Sequence, residues 1–260
     1  MDFATFKWTS AERYRSTFTA DHVNTMLSGL GRHYHKPFRL TCITDDPRGI
    51  SSEVRIVPLW DDWAQLPSPH GIGYPSCYRR LKLFSKEAEQ IVGPYFACLD
   101  LDMVFTGDVT PLFDPDVDFK IWGDTARQTP YNGSMMKMRA GARRQVWETF
   151  DPVTSPRRSL SLGYVGSDQG WIGACLGPHE AKWTSRRDLP RGCGSVESLG
   201  PAHQLGPSPL PVTNELSIRQ QDTTGDRVFA STRHVRAVRL TAGGIVRGGS
   251  STAIYRRRRH

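Results

Sequence analysis

Two carboxylates one residue apart, Asp100 and Asp102, stand where the apolar run Tyr95-Phe96-Ala97-Cys98-Leu99 stops. Such a run is what a strand buried on both faces requires. Strand alternation would place both carboxylates on one side of the backbone and turn Leu101 toward the core. Two hard oxygen donors suit Mn²⁺ or Mg²⁺, which can bridge the oxygens of a diphosphate. The spacing alone is commonplace at solvated strand ends. Here Met103-Val104-Phe105 resumes the apolar pattern at once, so the chain returns to the core around the two charges.

The elements that must position this pair follow from periodicity. Phe3–Trp8 reads as a strand, Ala20–Arg32 as a helix that Asp21 can cap, and Phe38–Thr44 and Val54–Leu59 as further strands, which is a βαβ start. Tyr78–Val92 is predicted as a helix with Leu81, Phe84, Ala88 and Ile91 among its apolar positions. Val117–Trp122 is predicted as a strand, and Ala140–Phe150 and Ser167–Leu176 as helices, the last started by Asp168. In an open α/β sheet ligands bind beyond the carboxyl ends of the strands, where Asp100 and Asp102 fall.

Cys98–Val104 followed by Gly107-Asp108-Val109-Thr110-Pro111-Leu112-Phe113 resembles the DxD strand and its continuation in GT-A glycosyltransferases, close to the glycogenin and bacterial galactosyltransferase group. Other segments agree in order over residues 3–185. Lys7-Trp8, Tyr14 and His22-Val23-Asn24 resemble that group's nucleotide-binding first strand and helix, and Cys42–Pro47 its second strand and turn. The resemblance implies a GT-A, Rossmann-like α/β fold with a mixed, mostly parallel sheet flanked by helices.

The same resemblance implies residue roles. Arg80, and after it Arg79 and Lys82, corresponds to the basic position on the donor phosphates, where a guanidinium fork suits diphosphate oxygens. Asn132 lies in the segment beside the donor sugar, with Gly133 allowing close backbone approach; an Asn-Gly turn is the alternative for these two residues. Asp168 and Gln169 correspond to the acid and amide that line the sugar pocket, Gln169 on the reacting face. Lys7, Trp8, Tyr14, Arg80, Asp100, Asn132 and Asp168 are thus expected to bind donor, Asp168 and Gln169 to serve catalysis, and Asp100 and Asp102 to hold the metal. The implied reaction is transfer of a hexose from a nucleoside diphosphate sugar, a UDP-sugar in this group, to a hydroxyl of a saccharide, lipid or protein, with retention of configuration.

Where this family supplies a His-Gly and Lys-Pro-Trp segment near its end, this chain has none; His179 and His203 lack that context. Residues 191–260 carry 11 Arg, no Lys and 4 acidic residues, whereas residues 1–190 balance 23 Lys and Arg against 22 Asp and Glu. The net charge of +8 therefore belongs to the tail. With no Trp and few aromatics, 191–260 is expected to be a disordered Arg/Gly/Ser/Pro-rich tail after a glycosyltransferase domain over 1–190. A shifted reading frame would produce the same abrupt change, and would leave an impaired enzyme.

Two other functions compete. A nucleotidyltransferase would open with a Gly-rich loop, which Lys7–Ser16 lacks. A binding protein would use Arg256–Arg259 on a polyanion, by charge and without sequence specificity for nucleic acid. Five Cys without a CxxC pair are expected to be reduced. Lys7, Glu12, Arg13 and Arg15 break any leading apolar run, and no stretch of about 18 apolar residues suits a membrane. The expectation is a cytoplasmic protein without a transmembrane anchor.

Overall fold

The computed structural model describes residues 1–9, 17–66, 77–123, 129–164 and 168–183, and three further strands at Val196–Ser198, Arg239–Thr241 and Gly244–Val246. Tyr14, His203 and Arg256–His260 lie outside the described residues.

Strand β1 (Asp2–Lys7), helix α1 (Ala20–His33) and strand β2 (Arg39–Thr44) form the expected βαβ unit, with β1 and β2 parallel from Asp2↔Arg39 to Lys7↔Thr44. The N-cap of α1 is Thr19; Asp21 falls in the first turn, where its charge suits the helix dipole instead. After β3 (Arg55–Pro58) the expected long helix is two pieces, a 3₁₀ helix over Cys77–Phe84 and α2 (Ala88–Ile91). Ser85 separates them: its N–H bonds the Lys82 carbonyl at 2.9 Å and its hydroxyl accepts from the Glu87 N–H at 3.2 Å. Such local side-chain bonds compete with helix continuation.

The chain continues through β4 (Tyr95–Leu99), β5 (Met103–Phe105), β6 (Phe119–Trp122) and β7 (Asn132–Arg139). The helix expected over 140–150 is reduced to α3 (Gln145–Glu148), because Gly141 takes a left-handed φ of +74° and the residues after it run in turns. Helix α4 (Thr154–Ser161) was not anticipated; its signal is Asp151, whose carboxylate accepts the N–H groups of Val153 and Thr154. Helix α5 (Asp168–Leu176) follows, then β8 (Lys182–Trp183).

Seven strands make one sheet in the order β3-β2-β1-β4-β7-β6-β8. All run parallel to β1 except β7, which is antiparallel to both β4 and β6. The mixed, mostly parallel α/β sheet expected from the sequence is present. Along β4, Phe96 and Cys98 join the core on one face and Ala97 and Leu99 the core on the other, all at 1% exposure or less. The first core takes Tyr78, Leu81, Val146 and Trp171 from the 3₁₀ helix, α3 and α5; the second takes Val23, Met26 and Leu30 from α1. Burial on both faces explains why β4 reads as an unbroken apolar run.

Three short strands lie beyond residue 190. β9 (Val196–Ser198) pairs antiparallel with β5, Met103 opposite Ser198, while β10 (Arg239–Thr241) and β11 (Gly244–Val246) pair with each other. Backbone beyond the expected domain boundary therefore meets the strand that follows Asp102. Among the described residues no helix is long and apolar enough to cross a membrane.

Candidate functional site

Asp100 and Asp102 do not continue β4 as an extended strand. The Met103 N–H bonds the Asp100 carbonyl at 3.3 Å, closing a turn over 100–103, so strand alternation does not set the two carboxylate directions. Leu101 is turned into the core as expected, at 6% exposure. The turn is anchored to its neighbours: the Asp100 N–H bonds the Ser134 carbonyl at 2.9 Å, and the Thr5 hydroxyl reaches the Leu99 carbonyl at 2.9 Å.

Arg80 lies against this turn. Its Nη1 donates to Asp100 Oδ1 at 2.5 Å, while Nε and Nη2 reach Asp168 Oδ2 at 2.7 and 2.6 Å. One guanidinium thus joins the 3₁₀ helix, the DxD turn and the first residue of α5. Burial opposes the charge on Arg80, yet Asp168 and Asp100 together hold its pKa well above the ordinary value. Asp168 is 3% exposed and makes these bonds from the start of α5.

The 3₁₀ geometry decides which of three basic residues enters the site. At three residues per turn, Tyr78, Leu81 and Phe84 form one buried column, and Arg80 and Leu83 a second that is also buried. Arg79 and Lys82 share the third column. Arg79 donates to the Trp60 carbonyl at 3.0 and 2.6 Å, and Lys82 pairs with Asp62 at 2.7 Å. Neither is brought to the carboxylates of the DxD turn by these contacts.

Asn132 and Gly133 open β7, beside the end of β4, rather than forming a hairpin turn. Asn132 Oδ1 accepts the Ser134 N–H at 2.8 Å. The Gly133 N–H donates to Gln169 Oε1 at 3.3 Å, so the amide expected on the reacting face is tied to the strand opposite Asp100. Asp100, Arg80, Asn132, Gly133, Asp168 and Gln169, spread over 90 residues of sequence, are brought into one cluster at the carboxyl end of β4.

Lys7 and Trp8 lie at and just past the carboxyl end of the neighbouring strand β1. They line a cavity of about 380 Å³ together with Thr17, Thr19, Asp46 and Arg48. Lys7 is buried and donates to the Asp46 carbonyl at 2.7 Å. The Asp46 carboxylate is gripped by Arg48 at 2.8 and 3.0 Å, and hydrogen bonds from the Arg48 side chain and backbone lower its pKa to about 2. Asp46 and Arg48 had no assigned role in the sequence; their position directly after β2, at the same edge of the sheet, is the signal that finds them.

Asp100 keeps 34% of its side chain exposed, and two carboxylates completed by phosphate oxygens are the usual provision for Mg²⁺ and Mn²⁺. Among the described residues no three or more His, Cys, Asp or Glu side chains form a self-sufficient metal cage.

No family model matches the chain, and no curated protein matches it. Among solved structures it is similar to the galactosyltransferase LgtC in complex with donor and acceptor sugar analogues, at 16% identity, 67% of this chain, 70% of that one and a TM-score of 0.43. It is similar to mouse xyloside xylosyltransferase 1 in its apo form at 14% identity, 68% of this chain, 81% of that one and a TM-score of 0.46. It is similar to the glycosyltransferase GlyE of Streptococcus pneumoniae at 13% identity, 69% of this chain, 44% of that one and a TM-score of 0.41. The α/β fold of this chain rests on its own sheet order and strand directions.

Proposed function

We propose that this protein transfers a hexose from a UDP-sugar to a hydroxyl acceptor, using a divalent cation held by Asp100 and Asp102. The observation that carries the reading is the Arg80 bridge between Asp100 and Asp168. Segments singled out separately in the sequence, the basic helix, the DxD turn, the Asn-Gly strand and the Asp-Gln helix, converge there on one edge of the sheet. In this reading the cavity beside Lys7 and Trp8 receives the nucleotide, and Asn132, Asp168 and Gln169 face the sugar.

Mn²⁺ or Mg²⁺, when bound, supplies positive charge against the departing diphosphate. The chain's own groups prepare the site. Arg80 fixes one oxygen of Asp100 and neutralises Asp168, which could not otherwise stay ionised at such burial without cost. Gln169 is oriented by the Gly133 N–H, so its position is set before substrate arrives. The acceptor supplies a hydroxyl, and transfer takes place in the cytoplasm.

The test is calorimetric titration of UDP, UDP-glucose and UDP-galactose, with and without Mn²⁺, on the native chain and on Asp102→Ala. Binding that strengthens with Mn²⁺ and loses that dependence in the variant supports the proposal. Binding indifferent to both overturns it, and pyrophosphate exchange into a nucleoside triphosphate would assign the site to a nucleotidyltransferase.

A further inference from the structure

Glycine at position 133 first suggests room for a ligand, but that room is taken by this chain's own Arg80. A Cβ built at Gly133 would lie 2.4 Å from Arg80 Nη2 and 3.4 Å from its Cζ, with Asp168 Oδ2 at 3.5 Å. The first of these is about 1 Å short of ordinary contact, and the other two are ordinary. The φ of Gly133 is not in the left-handed region, so backbone freedom is not what a glycine provides here. What it provides is the missing side chain.

We propose that Gly133 is a positioning residue: its bare backbone is the seat of the Arg80 guanidinium, and through that seat it sets where Asp168 and Gln169 stand. The inference rests on the glycosyltransferase reading for its consequence, but its geometry is independent of it. A crowded arginine usually swings aside at little cost, because its end is flexible. Arg80 cannot, since the guanidinium is buried and committed to carboxylates on two sides. A methyl group at 133 must therefore displace either the guanidinium or the start of β7. Both routes reach the start of α5: the first moves the partner of Asp168, and of Asp100 with it, and the second moves the N–H that holds Gln169 Oε1. The cavity beside Lys7 and Trp8 includes neither Gly133 nor Arg80 in its lining, so the contacts made within that cavity are left alone, while any shift of Asp100 is felt equally by UDP and by a UDP-sugar.

The experiment uses the full chain as wild type, Gly133→Ala, Arg80→Lys and the double variant. UDP and a UDP-sugar, glucose or galactose, are titrated in Mn²⁺, and melting temperatures are measured. Gly133→Ala is expected to weaken UDP-sugar binding about tenfold more than it weakens UDP binding. Lysine lacks the crowded Nη2, so the double variant should lose less UDP-sugar affinity than the two single losses combined.

A folded Gly133→Ala protein with both affinities unchanged, or with both weakened equally, overturns the inference. If wild type binds neither UDP nor a UDP-sugar, the glycosyltransferase reading fails, and the seat is decided by the melting temperatures alone. Losses from Gly133→Ala and Arg80→Lys that simply add would overturn it; a double variant less destabilised than their sum supports it. If Gly133→Ala does not fold, folding of the double variant supports the seat and its failure to fold overturns it.

Discussion

Arg80 Nη1 lies 2.5 Å from Asp100 Oδ1, on the side of the guanidinium away from its two bonds to Asp168. The arginine is thus shared between a buried carboxylate, at 4% side-chain exposure, and one that is a third exposed. The difference assigns them different parts: Asp168 cannot be left without a cation, whereas Asp100 can exchange contacts with a ligand.

Removing Arg80 should therefore be costly for stability. Arg80→Met leaves the buried Asp168 carboxylate without its guanidinium, and breaking a buried pair by one partner costs about 3–5 kcal/mol. Urea unfolding monitored by tryptophan fluorescence should show that loss. Asp168→Asn in the Arg80→Met background should recover part of it, because the remaining group carries no charge.

The opposite outcome is expected at a second buried cation, Lys137. Lys137, at 1% exposure, donates to Asp116 and to the Asp114 carbonyl, with Trp183 beside its ammonium. Burial lowers its pKa, Asp116 opposing the shift. Asp116 keeps half its surface and lies 3.5 Å from Lys120. Lys137→Met should hence change stability by no more than about 1 kcal/mol in either direction, since its partner can return to water. Comparison of the two methionine variants under the same denaturant checks the argument.

Ending the chain at residue 190 deletes the strand that pairs with Met103–Phe105, immediately after Asp102. The seven-stranded sheet is left intact, so the main unfolding transition should persist. Mn²⁺-dependent UDP binding should weaken, by about tenfold for each 1.4 kcal/mol of lost support to the turn. Unaltered binding in the truncated chain would show that β9 is dispensable to the site.

A pH dependence resides at the start of α1, which borders the cavity. The Thr19 N–H donates to His22 Nδ1 at 3.1 Å, an acceptor role that only an unprotonated Nδ1 can play. Burial lowers the His22 pKa, Asp21 opposing it, and His33 is lowered too, by burial and then by Arg32 and His35. With folded values below the ordinary 6.5, the unfolded chain takes up protons first as pH falls. Stability present above pH 6.5 is lost as pH drops through the folded values. Melting temperatures from pH 7.5 to 5 should show that decline. His22→Gln, which keeps an acceptor at the third helical position, should flatten it in part and leave His33's share.

Much of this architecture is legible in residue order. The βαβ start follows from alternation and helical periodicity at Phe3–Thr44, and the central strand from five apolar residues that need burial on both faces. The two aspartates stood out because apolar sequence resumes directly after them. Local pattern was less informative where a few contacts outweigh propensity. A buried Ser85 splits the helix expected over 78–92, and Gly141 in a left-handed turn shortens the one expected over 140–150.

Sequence alone determined that a basic segment, a carboxylate pair, an Asn-Gly and an Asp-Gln would lie at the ends of core elements, because hydrophobic periodicity fixes where those elements stop. Tertiary structure decided which of Arg79, Arg80 and Lys82 meets the carboxylates, and what Gly133 is for. Those outcomes depend on a three-residue helical turn and on atoms 20 to about 90 positions apart, which only the packing of the sheet against its helices brings within hydrogen-bonding distance.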